Sequence, residues 1–522
     1  MEVETFGSQL SANILSARTV CGTPPTEYQV PYKNIGELLT QQAEAYGTKT
    51  WMIFFPDEIT NTLKERRTSP DSPEKVRRSY TYIEFYELVC KTANFLLSQD
   101  ITRGDRIATI AYNHSDTVVQ YFAAWMIGAV VVPINVGEDD KRIGYILQNS
   151  QAKLAFVREQ FTDRVERILN ESTCETVIVI VGGDDQGRQA SIEHHTSHID
   201  FRTDIEHQSS ELKIPNSPSL EDEALIVYTS GTTGNPKGVV LTHYNLLIDA
   251  KAIAEWHGMT PGQTMMCVLP IHHVNGTIVT LMTPMYYGGT VVLNQKFHSG
   301  NFFTRIAEEG VNVVSVVPTL LQFLLHEAPD LSKVDLSRFR HIICGAGPLT
   351  CELATKFEDL FHIRIVHGYG LSETTCYSSF LPLDLSNDEH QHWMRTCGFP
   401  SIGVPIPSNE MTIHDDQGDE LPEESRGEIV IRGHNVMKCY YANPEANEST
   451  FAHGWFRSGD EGFFRADDKG RKFFFITGRI KELIIRGGVN ISPFEIDEVL
   501  MKMPGVKAGL VVGFENDWLQ QG

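Results

Sequence analysis

Tyr228-Thr-Ser-Gly-Thr-Thr-Gly-Asn-Pro-Lys-Gly238 stands between the apolar run 224–227 and a segment that opens a helix near Thr242. Its glycines and small residues let backbone N–H groups approach an anion, its hydroxyls add donors, and Lys237 adds a positive charge. The stretch therefore reads as a phosphate cradle joining a buried strand to a helix. It is not the P-loop of GTPases, because the GxxxxGK[ST] spacing is missing and Pro236 precedes the lysine.

Working outward, Val- and Ile-rich segments alternate with helical ones, the signature of α/β layers around largely parallel sheets. Strands are expected at 106–111, 130–134, 153–157, 176–181, 264–269, 311–317 and 341–344, and a helix capped by Ser115 after the first of them. The apolar run 118–136 approaches the length of a membrane span. Gly128 and Pro133 interrupt it and β-branched residues fill its second half, so it reads as a core helix followed by a buried strand. Two polar stretches, 56–79 and 182–218, read as surface loops. From Gly427 the texture changes to alternating strands, 428–432 and 472–476, with Gly-rich turns, which marks a β-rich lobe over about 400–478. Beyond it, Ser492, Pro493 and Glu495 open a helix ending near Met503, and a strand is expected at 509–514.

A chain of 522 residues with 41% hydrophobic content is long enough to bury more than one core. Its 44 Lys and Arg against 67 Asp and Glu leave a formal charge of -23, which argues against nucleic acid and anionic membranes as partners. A local cradle such as 228–238 still overrides that mean field for a small anion. Nine cysteines fall singly, without a CxxC pair, and the first residues lack the basic and apolar regions of a secretory signal, so a cytosolic protein with reduced thiols is expected.

Further motifs follow the cradle: Leu269-Pro-Ile-His-His273, Gly345-Ala-Gly-Pro-Leu349, His367-Gly-Tyr-Gly-Leu-Ser-Glu-Thr374, Gly454-Trp-Phe-Arg-Ser-Gly-Asp460 and Thr477-Gly-Arg-Ile-Lys-Glu482. In this order and spacing they resemble the adenylate-forming superfamily of acyl-CoA synthetases, aryl-CoA ligases, luciferases and peptide-synthetase adenylation domains. The resemblance covers nearly the whole chain. It implies a large domain of several α/β subdomains over 1–478 and the start of a small α+β domain over 479–522, joined at a hinge on Lys481.

The same resemblance implies activation of a carboxylic acid by ATP and Mg2+ to an acyl-adenylate, then transfer to coenzyme A or to the phosphopantetheine of an acyl carrier protein. Catalytic roles fall to Lys237, His273, Glu373 and Thr232. Glu373 is the implied magnesium ligand, with Thr232. Nucleotide contacts are implied for Thr229, Ser230, Gly231, Thr232, Thr233, Gly234 and Lys237 of the cradle. They are implied also for Gly345, Ala346, Gly347, His367, Gly368, Tyr369, Gly370 and Ser372, and for Asp460 on the ribose and Arg479. His273 is the implied carboxylate gate, and Val274, Asn275, Gly276, Thr277, Gly370 and Leu371 the implied acid pocket. Charge developing on phosphate oxygens calls for a metal and fixed donors more than for a general base, which suits these residue types.

Amino-acid-activating relatives carry an acid in the segment that here reads HHVNGTIVT, so a fatty, aryl or other uncharged organic acid is expected. The distal lysine of a PKTxxGK-like motif has no counterpart, and an incomplete C-terminal domain is expected. Three readings follow: an acid–CoA ligase, a module that loads a carrier protein, and a nucleotide-binding relative without catalysis. The intact phosphate, metal and ribose motifs speak against the third.

Overall fold

The apolar run 118–136 divides at Gly128, which ends the helix Ser115–Ile127 in a left-handed conformation (φ 78°, ψ 18°) that a Cβ would strain. The strand Val130–Ile134 follows at once, all five residues buried. All of the helix but Asp116 is buried. Phe122 rests against Trp51 of one sheet at 6.3 Å between ring centroids, and Trp125 Nε1 donates to the Ala224 carbonyl of another at 2.8 Å. A helix apolar all round is the sequence's solution to lying between two layers. Its cap is His114, whose ring accepts from Asp116 N, and Ser115, expected to cap it, is the first helical residue.

The computed structural model describes residues 7–56, 77–172, 174–182, 199–229, 235–486, 489–491, 493–501, 503, 506, 509, 511–516 and 520–521. The cradle residues Ser230, Gly231, Thr232, Thr233 and Gly234 lie outside the described residues. So do 57–76 and 183–198 of the polar stretches.

Among the described residues, one sheet has nine strands, and its central six, Ile365–Tyr369, His341–Cys344, Val313–Val316, Thr264–Cys267, Thr290–Asn294 and Thr50–Phe55, are parallel. A second sheet has eight strands, ordered Cys439–Tyr440, Lys237–Thr242, Glu223–Thr229, Val130–Ile134, Arg106–Ile110, Leu154–Arg158, Val177–Val181 and Ile199–Asp200. It is parallel from Glu223–Thr229 onward, and its first two strands are antiparallel additions. The helix His243–Trp256 starts from a capping box between Thr242 and Asn245 and is buried along almost its whole length. A third, antiparallel sheet of Asn409–His414, Gly427–Gly433, Phe456–Ala466 and Lys472–Arg479 forms the β-rich part. A fourth, of Ile484–Arg486, Val489–Ile491, Glu515–Asn516 and Gln520–Gln521, ends the chain.

Two expectations are corrected. The stretch 182–218 is not loop throughout: Ile199–Asp200 extends the second sheet and Phe201–Glu206 is helical. Phe201 and Ile205 anchor that piece in the core at 4% and 6% exposure. The strand expected at 509–514 does not form at 511–514, where Val512 and Phe514 are 73% and 63% exposed. A run of β-prone residues makes a strand only where a partner edge and a face to bury against exist.

Candidate active site

Strands His341–Cys344 and Ile365–Tyr369 lie side by side in the nine-stranded sheet, so the turns after them, Gly345-Ala-Gly and Gly370-Leu-Ser-Glu, form one rim. Open α/β sheets take ligands outside such carboxyl ends. Gly345, Gly368 and Gly370 are required by crowding, whereas a Cβ on Gly347 would make only ordinary contact with Pro318 at 3.4 Å. A Cβ on Gly345 would stand 2.6 Å from Tyr377 Oη, one on Gly368 2.3 Å from Phe380 Cδ1, and one on Gly370 1.8 Å from the Cys376 carbonyl oxygen. Ala346 and Thr375 hold left-handed φ values of 57° and 63°. Such residues cost about 1–3 kcal/mol each and persist only where their surroundings over-determine them. Thr375 is fully buried and its hydroxyl donates to the Asn435 carbonyl at 2.6 Å.

Glu373 sits in the single turn Ser372–Thr374, half-buried, with its carbonyl accepting from Met437 N at 2.8 Å. Lys237 opens the antiparallel return strand of the second sheet, directly after the cradle. The short strand Cys439–Tyr440 pairs with that return strand, Tyr440 opposite Val239. The Lys237 ammonium therefore lies 4.7 Å over the Tyr440 ring, while the Tyr440 hydroxyl donates to Glu373 Oε1 at 2.7 Å. Burial and the neighbouring Glu373 carboxylate keep that phenol protonated. Tyr440 was not foreseen. It lies 67 positions from Glu373 in no motif, and only the sheet pairing brings the two together.

The third sheet contributes Asp460, fully buried and paired in register with Arg479. Tyr369 Oη donates to Asp460 Oδ2 at 2.5 Å. Arg479 Nε lies 2.8 Å from Oδ1 as an ion pair. Burial pushes the Asp460 carboxyl up to about 6, against the pull of Arg479.

These features fit a nucleotide and a divalent cation. Asp460 is a buried carboxylate that pairs with Arg479 through Oδ1 and accepts from Tyr369 through Oδ2, and carboxylate oxygens have further lone pairs for sugar hydroxyls. The half-buried Glu373 carboxylate is a hard oxygen donor of the kind that holds magnesium together with substrate phosphates.

The positions expected to line an acid pocket divide. His273 is exposed, and the protein mass around it still holds its imidazole below the ordinary range; its neighbour His272 is driven to about 3 by burial and by His273. Val274 is buried and Leu371 half-buried, both apolar and without charge. Asn275 is 6% exposed and its amide is spent: Nδ2 donates to Tyr377 Oη at 3.1 Å and Oδ1 accepts from Ser315 Oγ at 2.7 Å. The Thr277 hydroxyl, also buried, donates to the Ile271 carbonyl. Residues Asn275–Met282 form a π-helix, a rare geometry that recurs at functional sites. A Cβ on Gly276 would meet the Pro270 carbonyl oxygen at 2.3 Å. Asn275, Gly276 and Thr277 thus build the wall and present no side chain to a cavity. Gly276→Ala is expected to destabilise the fold by about 1–3 kcal/mol without changing which acids are used. Denaturant midpoints and an acid panel check this.

His367 is likewise turned away from the rim: it is 4% exposed, its Nδ1 lies 2.9 Å from the Ser401 carbonyl, and burial drives its pKa to about 4. A second unforeseen residue, Asp249, stands fully buried behind the segment that follows Glu373. Its Oδ1 accepts from Asn435 Nδ2 at 2.9 Å and its Oδ2 from Tyr377 N at 3.4 Å, and burial raises its pKa to about 8.

Among known proteins, the AMP-binding enzyme family pattern matches residues 40–441. The chain is 32% identical over 411 residues to the sulfoacetate–CoA ligase of Cupriavidus necator, spanning 78% of this chain and 75% of that one. It is 30% identical over 434 residues to a feruloyl-CoA synthase of an Amycolatopsis species, spanning 83% and 80%. In three dimensions it is similar to o-succinylbenzoate CoA synthetase from Bacillus subtilis in complex with the acyl-adenylate intermediate OSB-AMP. That match has a TM-score of 0.75 and 25% identity over 94% of this chain and 87% of that one. With its motifs in order along most of its length and its candidate site assembled where three sheets meet, the chain belongs to the AMP-binding enzyme family.

Proposed function

We propose that this protein is an AMP-forming acid–CoA ligase. The observation that carries the reading is the convergence of Lys237, Tyr440 and Glu373 from two sheets beside Asp460 and Arg479 from a third. A substrate carboxylate oxygen attacks the α-phosphorus of ATP in line, and the bond to the bridging oxygen breaks with its electron pair leaving on pyrophosphate. The Lys237 ammonium and the cradle's donors hold the phosphates, and Asp460 accepts from the ribose hydroxyls. Glu373 holds the cation; magnesium, when bound, neutralises charge on the phosphate oxygens. In the second step a thiolate sulfur bonds to the acyl carbon and AMP leaves with the mixed-anhydride oxygen. Coenzyme A as the thiol is supported by the relatives, which are CoA ligases and synthases by name.

His273 serves as the gate for the acid. Its depressed pKa keeps it uncharged near pH 7, so it can pass a carboxylate without trapping it as an ion pair. Because the described segment beside it carries no acid, the substrate is an organic acid without an α-ammonium group, fatty and aryl acids included. The large domain is read as ending at Gly478, inside the strand Lys472–Arg479, and Lys481, exposed in the turn Ile480–Glu482, as the hinge to the small domain.

Pyrophosphate exchange over a panel of carboxylic acids, followed by thioester detection with CoA, tests the reading. Exchange with organic acids but not α-amino acids is expected; ATP binding with no exchange on any acid would overturn it. Asp460→Ala is expected to raise the apparent KM for ATP by about 10- to 100-fold, the worth of hydrogen bonds to a charged acceptor. Its kcat should change little, since the ribose contact is equal in ground and transition states. An unchanged KM removes Asp460 from the nucleotide site.

A further inference from the structure

Tyr440 is held from several sides. Its strand pairs with Lys237–Thr242, and hydrogen bonds from Lys438 N to the Val240 carbonyl (2.9 Å) and from Tyr441 N to the Gly238 carbonyl (2.7 Å) close the ladder on both flanks. The buried Asn447 clamps its backbone as well. Tyr440 N donates to Asn447 Oδ1 at 2.7 Å and Asn447 Nδ2 returns a bond to the Tyr440 carbonyl at 3.0 Å. The ring, 6% exposed, lies under the Lys237 ammonium, and the hydroxyl reaches Glu373 Oε1. Glu373 stands on a single helical turn, whose backbone alone does not choose among the rotamers of a three-torsion side chain.

We propose that Tyr440 is a positioning residue: its hydroxyl holds Oε1 of Glu373 so that Oε2 is left for a divalent cation, while its ring seats the Lys237 ammonium beside the phosphates. This rests on the assignment of Glu373 as the cation's protein ligand. One rigid phenol thus ties the metal carboxylate of one sheet to the phosphate lysine of the other, and both are set before a ligand arrives. Partners that orient a metal ligand characteristically change metal affinity or activity by about 10- to 100-fold when removed.

The test measures Mn2+ binding by electron paramagnetic resonance in the presence of a non-hydrolysable ATP analogue, alongside analogue binding without metal and thermal denaturation. Tyr440→Phe keeps the ring and removes only the hydroxyl. It is expected to weaken Mn2+ binding by about 10- to 100-fold, with metal-free analogue binding and the thermal midpoint unchanged. In the Glu373→Gln background the same change should add no further loss, which a merely structural role would not produce. Glu373→Asp approaches the contact from the other side: it keeps the charge, withdraws the carboxylate from the hydroxyl, and should weaken Mn2+ binding to a similar degree. Wild-type Mn2+ affinity in Tyr440→Phe, with Glu373→Gln still impaired, overturns the positioning role alone; wild-type affinity in Glu373→Gln overturns the ligand assignment beneath it.

Discussion

Glu373→Gln is expected to lower acid-dependent pyrophosphate exchange by about 100- to 1000-fold, the usual cost of removing one preorganised group that meets developing charge. The fold should survive. The glutamine carbonyl can accept from the Tyr440 hydroxyl as Oε1 does, and the bond from Met437 N goes to the backbone carbonyl, which the change leaves in place. What is lost is one negative charge, and with it the protein's share of the cation. The deficit should therefore appear in kcat and in kcat/KM together, because the charge it balances is greatest in the transition state. Exchange at the wild-type rate would mean that the cation is held elsewhere.

Stability is expected to peak near pH 6.5 and to fall steeply below it. Four histidines in the interior, His243, His257, His341 and His367, are 0–4% exposed. Burial pulls their pKa values down from 6.5, to about 4 for His243 and His367, to about 3 for His341, and well below for His257. The sign follows directly. These groups are neutral in the fold and become protonated in the unfolded chain below pH 6.5, so unfolding takes up protons and stability is lost as pH falls.

Asp249 and Asp460 act in the opposite sense between about pH 4 and 6, since their folded values, about 8 and about 6, lie above the ordinary 3.8. His272, at about 3, and His273, His414 and His434, also lowered by burial, act in the same sense as the four interior histidines, so the histidines outnumber the two aspartates and win. Between pH 6.5 and 8 the histidines are silent, and Asp249 alone makes stability decline as pH rises. Urea midpoints at pH 4.5, 5.5, 6.5 and 8 should trace this asymmetric peak. Asp249→Asn should flatten the alkaline side and steepen the acid side, where the aspartate no longer opposes the histidines. A midpoint constant from pH 6.5 to 4.5 would refute the buried-histidine account.

How far the sequence could be read is clearest at particular residues. The strand 130–134 and the helix before it were legible because Gly128 punctuates an apolar run whose two halves differ in β-branching. The capping box at Thr242 and the strand 341–344 were legible for the same local reasons. His367 shows the limit. In a motif it reads as a nucleotide contact, whereas the pleat turns it to the Ser401 carbonyl, 34 positions away. Gly276 reads as a small residue beside a gate, and only the packed backbone of Pro270 reveals that no space lies next to it.

By itself the sequence determined the α/β layering, the family, and the candidate chemistry of Lys237, Glu373, Asp460 and Arg479, because those signals rest on local periodicity and on motifs a few residues long. Tertiary structure alone decided that Tyr440 joins Glu373 to Lys237, that Asp249 stands buried behind the segment after Glu373, and that Asn275 and Thr277 spend their polar groups inside the wall. Those facts depend on which strand edges pair and which groups lose water when layers close. Both are set by contacts between residues far apart in the chain, which no local pattern encodes.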